Sequence, residues 1–142
     1  MRLLYPFLFL CVFLLKNEMN AQQTKHYINN WYFGDAAGIS FTSGSPNVIP
    51  SNILAYEAST SYSDGLGNVL FYAGAHGSHT FGVDQVVWDA SHTPMPNSDL
   101  LIYYSSSCGL TAVPVPGSCD RYYIFHLGSN SGGPNGLNYS VV

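Results

Sequence analysis

Few residues in this chain have side chains suited to chemistry, and the first candidates lie in a glycine-rich stretch. His76 and His79 stand three positions apart in "HGSH", and Asp84 follows five positions later. Histidine nitrogens and a carboxylate oxygen are zinc ligands, so these three side chains form one candidate metal site. No His-Glu-x-x-His helix frames them. A solvated glycine-rich loop is therefore the interpretation that this stretch favours.

A second candidate is the run "SDGLGN" at 63–68. Calcium loops place oxygen ligands at alternate positions and close with a bidentate acid. Here Asp64 and Asn68 supply only two side-chain oxygen donors, and no glutamate closes the loop. The sequence instead predicts a hairpin turn in which a side-chain oxygen caps the backbone and the glycines accept positive φ.

The remaining motifs supply no catalytic constellation. Trp88-Asp89 lacks the Gly-His partner and the period of WD repeats, so we expect Trp88 in the core and Asp89 capping the next loop. His92 has no nucleophile beside it and is expected to fix its loop by a hydrogen bond. No G-x-S-x-G elbow occurs, and sequence alone cannot pair acids for glycoside hydrolysis. We assign no catalytic residue, no metal and no cofactor, and predict no enzyme activity.

Residues 1–21 have the pattern of a secretory signal peptide. Arg2 gives a short basic start, 3–15 are apolar, and Ala21 is a small residue before the cut. The apolar run of about 13 residues is too short to span a bilayer, which needs ~20. We therefore predict Sec-dependent export to the medium or cell surface, with no membrane insertion of the mature chain. An uncleaved anchor is the alternative.

Cysteine usage is compatible with that route. Once the leader is removed, Cys108 and Cys119 remain, with ten residues between them. In an exported chain such an isolated pair indicates a disulfide, which would stabilise the fold by about 2–3 kcal/mol through the unfolded state. Two free buried thiols are the alternative.

The composition predicts a folded protein with few charged residues. The 142 residues are 46% apolar and 15% aromatic, with only 8% charged, against about 25% charged in typical soluble domains. Disordered chains show the reverse bias. Only four residues are Lys or Arg, and two of these lie in the leader, so no basic patch exists for nucleic acid or anionic lipid.

The elements that must position any site are short strands. After residue 22 no sustained 3.6-residue periodicity occurs; β-like runs alternate with turn signals. The runs are 31–33, 38–44, 59–73 as a hairpin, 83–89, 100–104, 109–127 as two strands around a Pro-Gly turn, and 137–142. Segments 91–99 and 128–136 read as loops. An antiparallel all-β sandwich, barrel or propeller is predicted, and periodicity alone does not choose among them.

The densest aromatic cluster is "WYF" at 31–33, followed at once by Gly34-Asp35. We predict that these three rings form a first strand and fill the core, because large aromatics in short strands usually do. The chain then turns, and Ile39 and Phe41 are expected to return to the same core. The alternative is an exposed platform on which sugar rings stack.

Several blocks together resemble a known family. They are "NNWYFGDAAGISF", "SDGLGNVLFYA", "VVWDASHTPMPN", "AVPVPGSCDRYYIF" and "GLNYSVV", in that order. Over roughly residues 29–142 the chain resembles the N-terminal β-propeller-like region of large secreted Bacteroidetes proteins related to gliding motility, which carry a C-terminal sorting domain for type IX secretion. The core residues that the resemblance implies are Trp31, Tyr32, Phe33, Gly34, Phe71, Tyr72, Trp88, Tyr123 and Phe125.

The resemblance implies two to three propeller blades of roughly 40–50 residues each, with 22–142 an incomplete propeller-like domain. The chain stops at Val141-Val142 inside a strand pattern and lacks the sorting domain, so we expect a fragment. Since a propeller must close to hide its edges, the mature chain alone is expected to fold poorly or to self-associate.

The function that follows is an exported, non-enzymatic role in adhesion, scaffolding or binding. Loops 73–85 and 128–136 would contact a polysaccharide or protein ligand whose identity the sequence does not give. One alternative is part of a polysaccharide-active propeller enzyme with its catalytic residues outside this chain. Another is a truncated reading frame without function.

Overall fold

The computed structural model describes residues 27–54, 58–75, 85–98, 109–127 and 136–142. Within these ranges the chain forms nine strands and no α-helix, so the all-β prediction is confirmed there. The strands are β1 (Asn30–Tyr32), β2 (Ala37–Ser40), β3 (Asn47–Pro50), β4 (Thr60–Ser63), β5 (Val69–Ala75), β6 (Gln85–Asp89), β7 (Leu110–Pro114), β8 (Tyr122–Leu127) and β9 (Leu137–Val141).

The strands form three antiparallel sheets in chain order, which we call the first (β1-β2-β3), middle (β4-β5-β6) and third (β7-β8-β9) sheets. None of the three closes on itself among the described residues. The predicted hairpin at 59–73 is confirmed as β4 and β5, and the two strands predicted within 109–127 as β7 and β8. The strand predicted at 100–104 lies outside the described residues.

One strand was not predicted from the sequence. β3 carries Pro50 at its end and pairs with β2 as the edge of the first sheet. A proline within a short apolar run argues against a strand, but an edge position tolerates it because no ladder donor is needed on the outer side. The same reason explains Pro114 at the end of β7, the edge strand of the third sheet.

The turns around the middle sheet are capped by two aspartates in the same way. The Asp64 carboxylate accepts the backbone N–H of Leu66 at 2.8 Å and of Asn68 at 2.9 Å. After β6, the Asp89 carboxylate accepts the N–H groups two and four positions on, at 2.8 and 2.9 Å. Both predicted caps are confirmed, and the turn at 63–68 is a hairpin turn.

The middle sheet lies between the other two, and alternate side chains of β5 explain how. Tyr72 points to the first sheet and packs with Tyr32, Ile53 and Trp88. Phe71 and Ala73 point the other way, toward the third sheet. There they join a second buried cluster that includes Val87, Leu110 and Ile124. Both faces of the middle sheet are therefore covered.

A polar seam joins the first strands of successive sheets, since β4 contacts β1 on one side and β7 on the other. Ser59 and Ser61 donate their hydroxyls to backbone carbonyls of β1, at 2.7 and 2.6 Å. The buried Asn30 amide donates back to the Ser63 hydroxyl at 3.0 Å and to the Gly67 carbonyl at 2.8 Å. On the other side, the Thr60 hydroxyl accepts the Ala112 N–H at 3.1 Å.

Candidate functional site

An uncovered apolar surface lies on the outer face of the third sheet. The register places apolar side chains in rows across it, opposite to the face that meets the middle sheet. One row is Val113–Tyr123–Val141, and a second pairs Leu127 with Leu137. Between them lie Thr111, Phe125 and Tyr139, of which Tyr139 is 64% exposed.

The rings on this face contact one another. Tyr123 meets Tyr139 edge to face at a centroid distance of 5.4 Å, and Phe125 lies 5.7 Å from Tyr123. Edge-to-face geometry at this distance is favourable for aromatic pairs. The rings are thus held in a packed layer with one side in solvent.

Strand β9 shows that this polarity is inverted relative to an ordinary edge strand. Its apolar residues Leu137, Tyr139 and Val141 are exposed, whereas Asn138 and Ser140, on the inner face, are half-buried. The Ser140 hydroxyl lies 3.3 Å from His126 Nε2 on that inner side. A sheet with one wet face normally turns its polar residues to water, so the inversion marks a face built to be covered.

A second apolar surface is the outer face of the first sheet. Trp31, Ile39 and Val48 form one row across its three strands, and Val48 is 87% exposed. Phe33 and Phe41 flank this row; the Trp31 ring lies 6.4 Å from Phe33 and 5.3 Å from Phe41. The two outer faces lie at opposite ends of the stack, because the middle sheet separates the sheets that carry them.

This arrangement corrects the prediction for the aromatic run 31–33. Trp31 is 46% exposed and Phe33 is 39% exposed, so the expectation that both rings fill the core is wrong. Strand alternation sends Tyr32 inward and its neighbours outward. The same alternation puts Ile39 and Phe41 on the outer face with Trp31, and not in the core shared with Tyr32.

The other aromatic residues that the resemblance singled out take different positions. Phe71, Tyr72 and Trp88 are buried. Tyr123 and Phe125 are half-buried on the outer face of the third sheet, and Gly34 is half-buried after β1. The aromatic residues singled out from the sequence therefore include both interior and outer-face rings, and the sequence did not show which were which.

The stack of rings between the first and middle sheets holds a polar group at its end. Tyr72 stacks on Tyr32 at 4.1 Å and on Trp88 at 5.1 Å. Its hydroxyl accepts the Asn52 N–H at 3.3 Å and lies 2.7 Å from His92 Nδ1. Burial raises the pKa of Tyr72 to about 12, so the phenol stays neutral and acts as a hydrogen-bonding partner. His92 fixes its loop, as predicted.

The acids singled out from the sequence are used in turns. The Asn68 side chain, with backbone N–H groups, holds the pKa of Asp64 below its usual range. The Ser91 hydroxyl, with backbone N–H groups, does the same for the pKa of Asp89. A carboxylate stabilised in this way is a poor base. Within the described ranges, no three His, Cys, Asp or Glu side chains are grouped to hold a metal ion.

Some predicted features lie outside the described residues: the leader 1–21, Cys108, and the candidate zinc set His76, His79 and Asp84. Cys119 is an exposed, free cysteine, and because Cys108 is not among the described residues the disulfide stays a prediction. No helix among the described residues is long and apolar enough to cross a membrane.

The inverted face of β9 was missed by the sequence reasoning. The alternation in "LNYSVV" was visible, but alternation says only that two faces differ and not which one is covered. Searches among protein families, curated proteins and solved structures find no match to this chain.

Proposed function

We propose that this is an exported, non-enzymatic scaffold or binding protein whose three sheets are successive blades of a β-propeller. Its binding surfaces are the outer faces of the first and third sheets. The observation that carries the proposal is the third sheet's outer face, where β9 turns its apolar residues to solvent and its polar residues inward.

Three features support the blade interpretation. Each sheet is a meander in chain order, successive sheets pack face to face through the two clusters, and the first strands of neighbouring sheets lie side by side. Propellers are radial arrangements of such sheets about a central axis. In a closed propeller every blade face is covered by a neighbour, which would account for the apolar outer faces.

The chemistry of these faces favours a protein partner over a polysaccharide. Four aliphatic side chains share the outer face of the third sheet with three aromatic ones, and on the first sheet the Trp31 indole N–H is already donated to the Ile28 carbonyl at 2.7 Å. Sugar sites combine a stacking ring with hydrogen-bonding groups that orient the hydroxyls. A flat apolar surface is instead complementary to another sheet face, which packs about 10 Å away.

The export component rests on residues 1–21 and is tested separately. Fusing residues 1–26 to a reporter phosphatase that is active only outside the cytoplasm should give activity. The same fusion with Leu8→Arg and Leu10→Arg, which interrupt the apolar run, should give none. Equal activity from both fusions would contradict the proposed leader.

The binding component is tested by cross-linking in the producing culture. A photoreactive benzoylphenylalanine at position 139 should form covalent protein adducts, identified by mass spectrometry. The same group at position 66, where Leu66 is 82% exposed in the β4–β5 turn, is the matched control and should form none. No adduct from position 139, or equal adducts from both positions, overturns the proposal.

A further inference from the structure

We infer that the partner for the outer faces is a second copy of this chain. The third sheet of each copy covers the first sheet of the other, so that the described sheets of two copies form one ring of six. This inference rests on the proposed function, because it names the occupant of the same surfaces.

The two faces match in chemistry. The row Trp31–Ile39–Val48 on one end and the row Val113–Tyr123–Val141 on the other are both uncharged, and each joins aromatic to β-branched side chains. The interfaces inside the chain have the same make-up, with Tyr32 and Ile49 against Tyr72 and Trp88 in one of them. A third-on-first contact would therefore continue a packing that the chain already uses twice.

The placement of the faces favours a head-to-tail contact. The middle sheet separates them, so one copy cannot cover its own third sheet with its own first sheet. The described residues of two copies contribute 3 + 3 = 6 sheets, which lies within the roughly 4–8 blades that close a propeller. When a heterologous contact closes in this way it covers both outer faces of both copies, and none of the described sheets keeps an open apolar face.

Matched positions in the last strand of each end sheet provide the test. Val48 in β3 and Val141 in β9 lie on the two outer faces. Val48→Glu places a charge on the first-sheet face of both copies, and Val141→Lys places one on the third-sheet face of both. A buried, unpaired charge should raise the dissociation constant more than about 30-fold, so each variant alone should become monomeric.

The mixture of the two variants is the decisive sample. It contains one intact pair of faces and one pair in which the introduced carboxylate would face the introduced ammonium group, so a dimer should return on mixing. The full chain, purified after export with its own leader, is measured by size exclusion with light scattering. Leu66→Glu, which adds the same acid at an exposed position off both faces, should remain dimeric.

The inference is supported if the wild type is a dimer, each variant alone is a monomer, and the mixture of the two variants is again a dimer. Dissociation by Val141→Lys but not by Val48→Glu indicates a third-on-third contact and overturns it, as do particles that keep growing with concentration. A wild-type monomer overturns it too, while adducts from position 139 with another protein would leave the proposed function standing. Circular dichroism checks that each variant folds. The near-isosteric Val141→Thr must also weaken association, as Val141→Lys does.

Discussion

Strands β5 and β8 have similar sequences but different surroundings. β5 reads "VLFYAGA", and Phe71, Tyr72 and Ala73 are buried on alternating faces of the middle sheet. β8 reads "YYIFHL", yet only the inward Ile124 and His126 are buried. A near-continuous apolar run is typical of a strand covered on both faces. Strand β8 therefore carries the sequence of an interior strand, although the described residues of the chain cover only one of its faces.

The comparison also holds between whole sheets. The middle sheet places apolar clusters on both sides, whereas each end sheet has one cluster and one face in solvent. If the end faces are open in the monomer, substitutions on them should lower the free energy of unfolding only slightly and should weaken association strongly. Substitutions in the middle sheet should have the opposite effect: a large loss of folding stability and little change in association.

The largest contrast is between the two tryptophans. Trp88 is 1% exposed in the middle sheet and Trp31 is 46% exposed on the first. Trp88→Ala should lower the free energy of unfolding by about 3–5 kcal/mol through the lost burial and the cavity, and Trp31→Ala by about 1 kcal/mol. Urea denaturation below the concentration of association measures both. Equal losses would show that the first sheet's outer face is part of the monomer core.

A glycine in β5 tests how tightly the segment after β3 packs against the middle sheet. A Cβ on Gly74 would lie 2.8 Å from Cγ2 of the fully buried Ile53. Gly74→Ala should therefore cost about 1–3 kcal/mol by overpacking, and adding Ile53→Val should recover part of it. Gly65→Ala, whose new Cβ would meet Tyr27 at an ordinary 3.7 Å, should stay within about 0.5 kcal/mol. A tolerated Gly74→Ala with no recovery in the double variant would argue against close contact.

The buried phenol of Tyr72 makes stability sensitive to alkaline pH. Since burial raises its folded pKa to about 12 from 10.0, the folded state retains its proton longer, and stability is lost as pH rises from about 10 through 12. Tyr72→Phe should cost about 1 kcal/mol near neutral pH, because His92 and Asn52 lose a partner. It should also flatten the alkaline decline.

The measurement for Tyr72→Phe is the urea midpoint as a function of pH. Tyr139→Phe on the outer face is the control for loss of a hydroxyl, and it should keep the wild-type stability near neutral pH. Tyr32, Tyr62 and Tyr122 also have raised pKa values through burial, so part of the decline should remain. An unchanged slope in Tyr72→Phe would contradict the assignment.

The smallest effects are expected at the turns that cap the middle sheet. Asp64→Ala or Asp89→Ala should lower the melting temperature at neutral pH. Their folded pKa values are lowered from 3.8, so this stabilisation is present above about pH 4 and is lost as pH falls through the folded pKa. The gap to the wild type should therefore close in acid. Asp120→Ala in the third sheet's turn is the control, and a gap that persists at low pH would contradict the prediction.

Local signals in the sequence were sufficient for most strands and turns. The hairpin around Asp64 and the strand-turn-strand before Leu127 were predicted because turn residues and short apolar runs act through neighbouring backbone. β3 was missed, since its proline is tolerated only at an edge and edge position depends on the whole sheet. The propeller itself stays a prediction.

The direction in which each face points was beyond the sequence. Trp31 and Tyr32 have equally apolar neighbours in the sequence. The ring that is covered is decided by the middle sheet, which is formed by residues far along the chain. In β9 the alternation was visible, but the buried side turned out to be the polar one. Hydrophobicity predicts that a face needs a partner; it does not say whether the partner lies in the same molecule.

The seam through Asn30 has a consequence for symmetry. Apolar contacts permit a range of angles between two packed sheets. The hydrogen bonds of Ser59, Ser61 and Asn30, at 2.6 to 3.0 Å, are directional. These directional bonds restrict the angle between the first and middle sheets, and in a propeller the angle between neighbouring sheets determines how many blades complete the ring. These three side chains would set that angle in the assembly, and the particle mass of a Ser61→Ala protein would report a change in it.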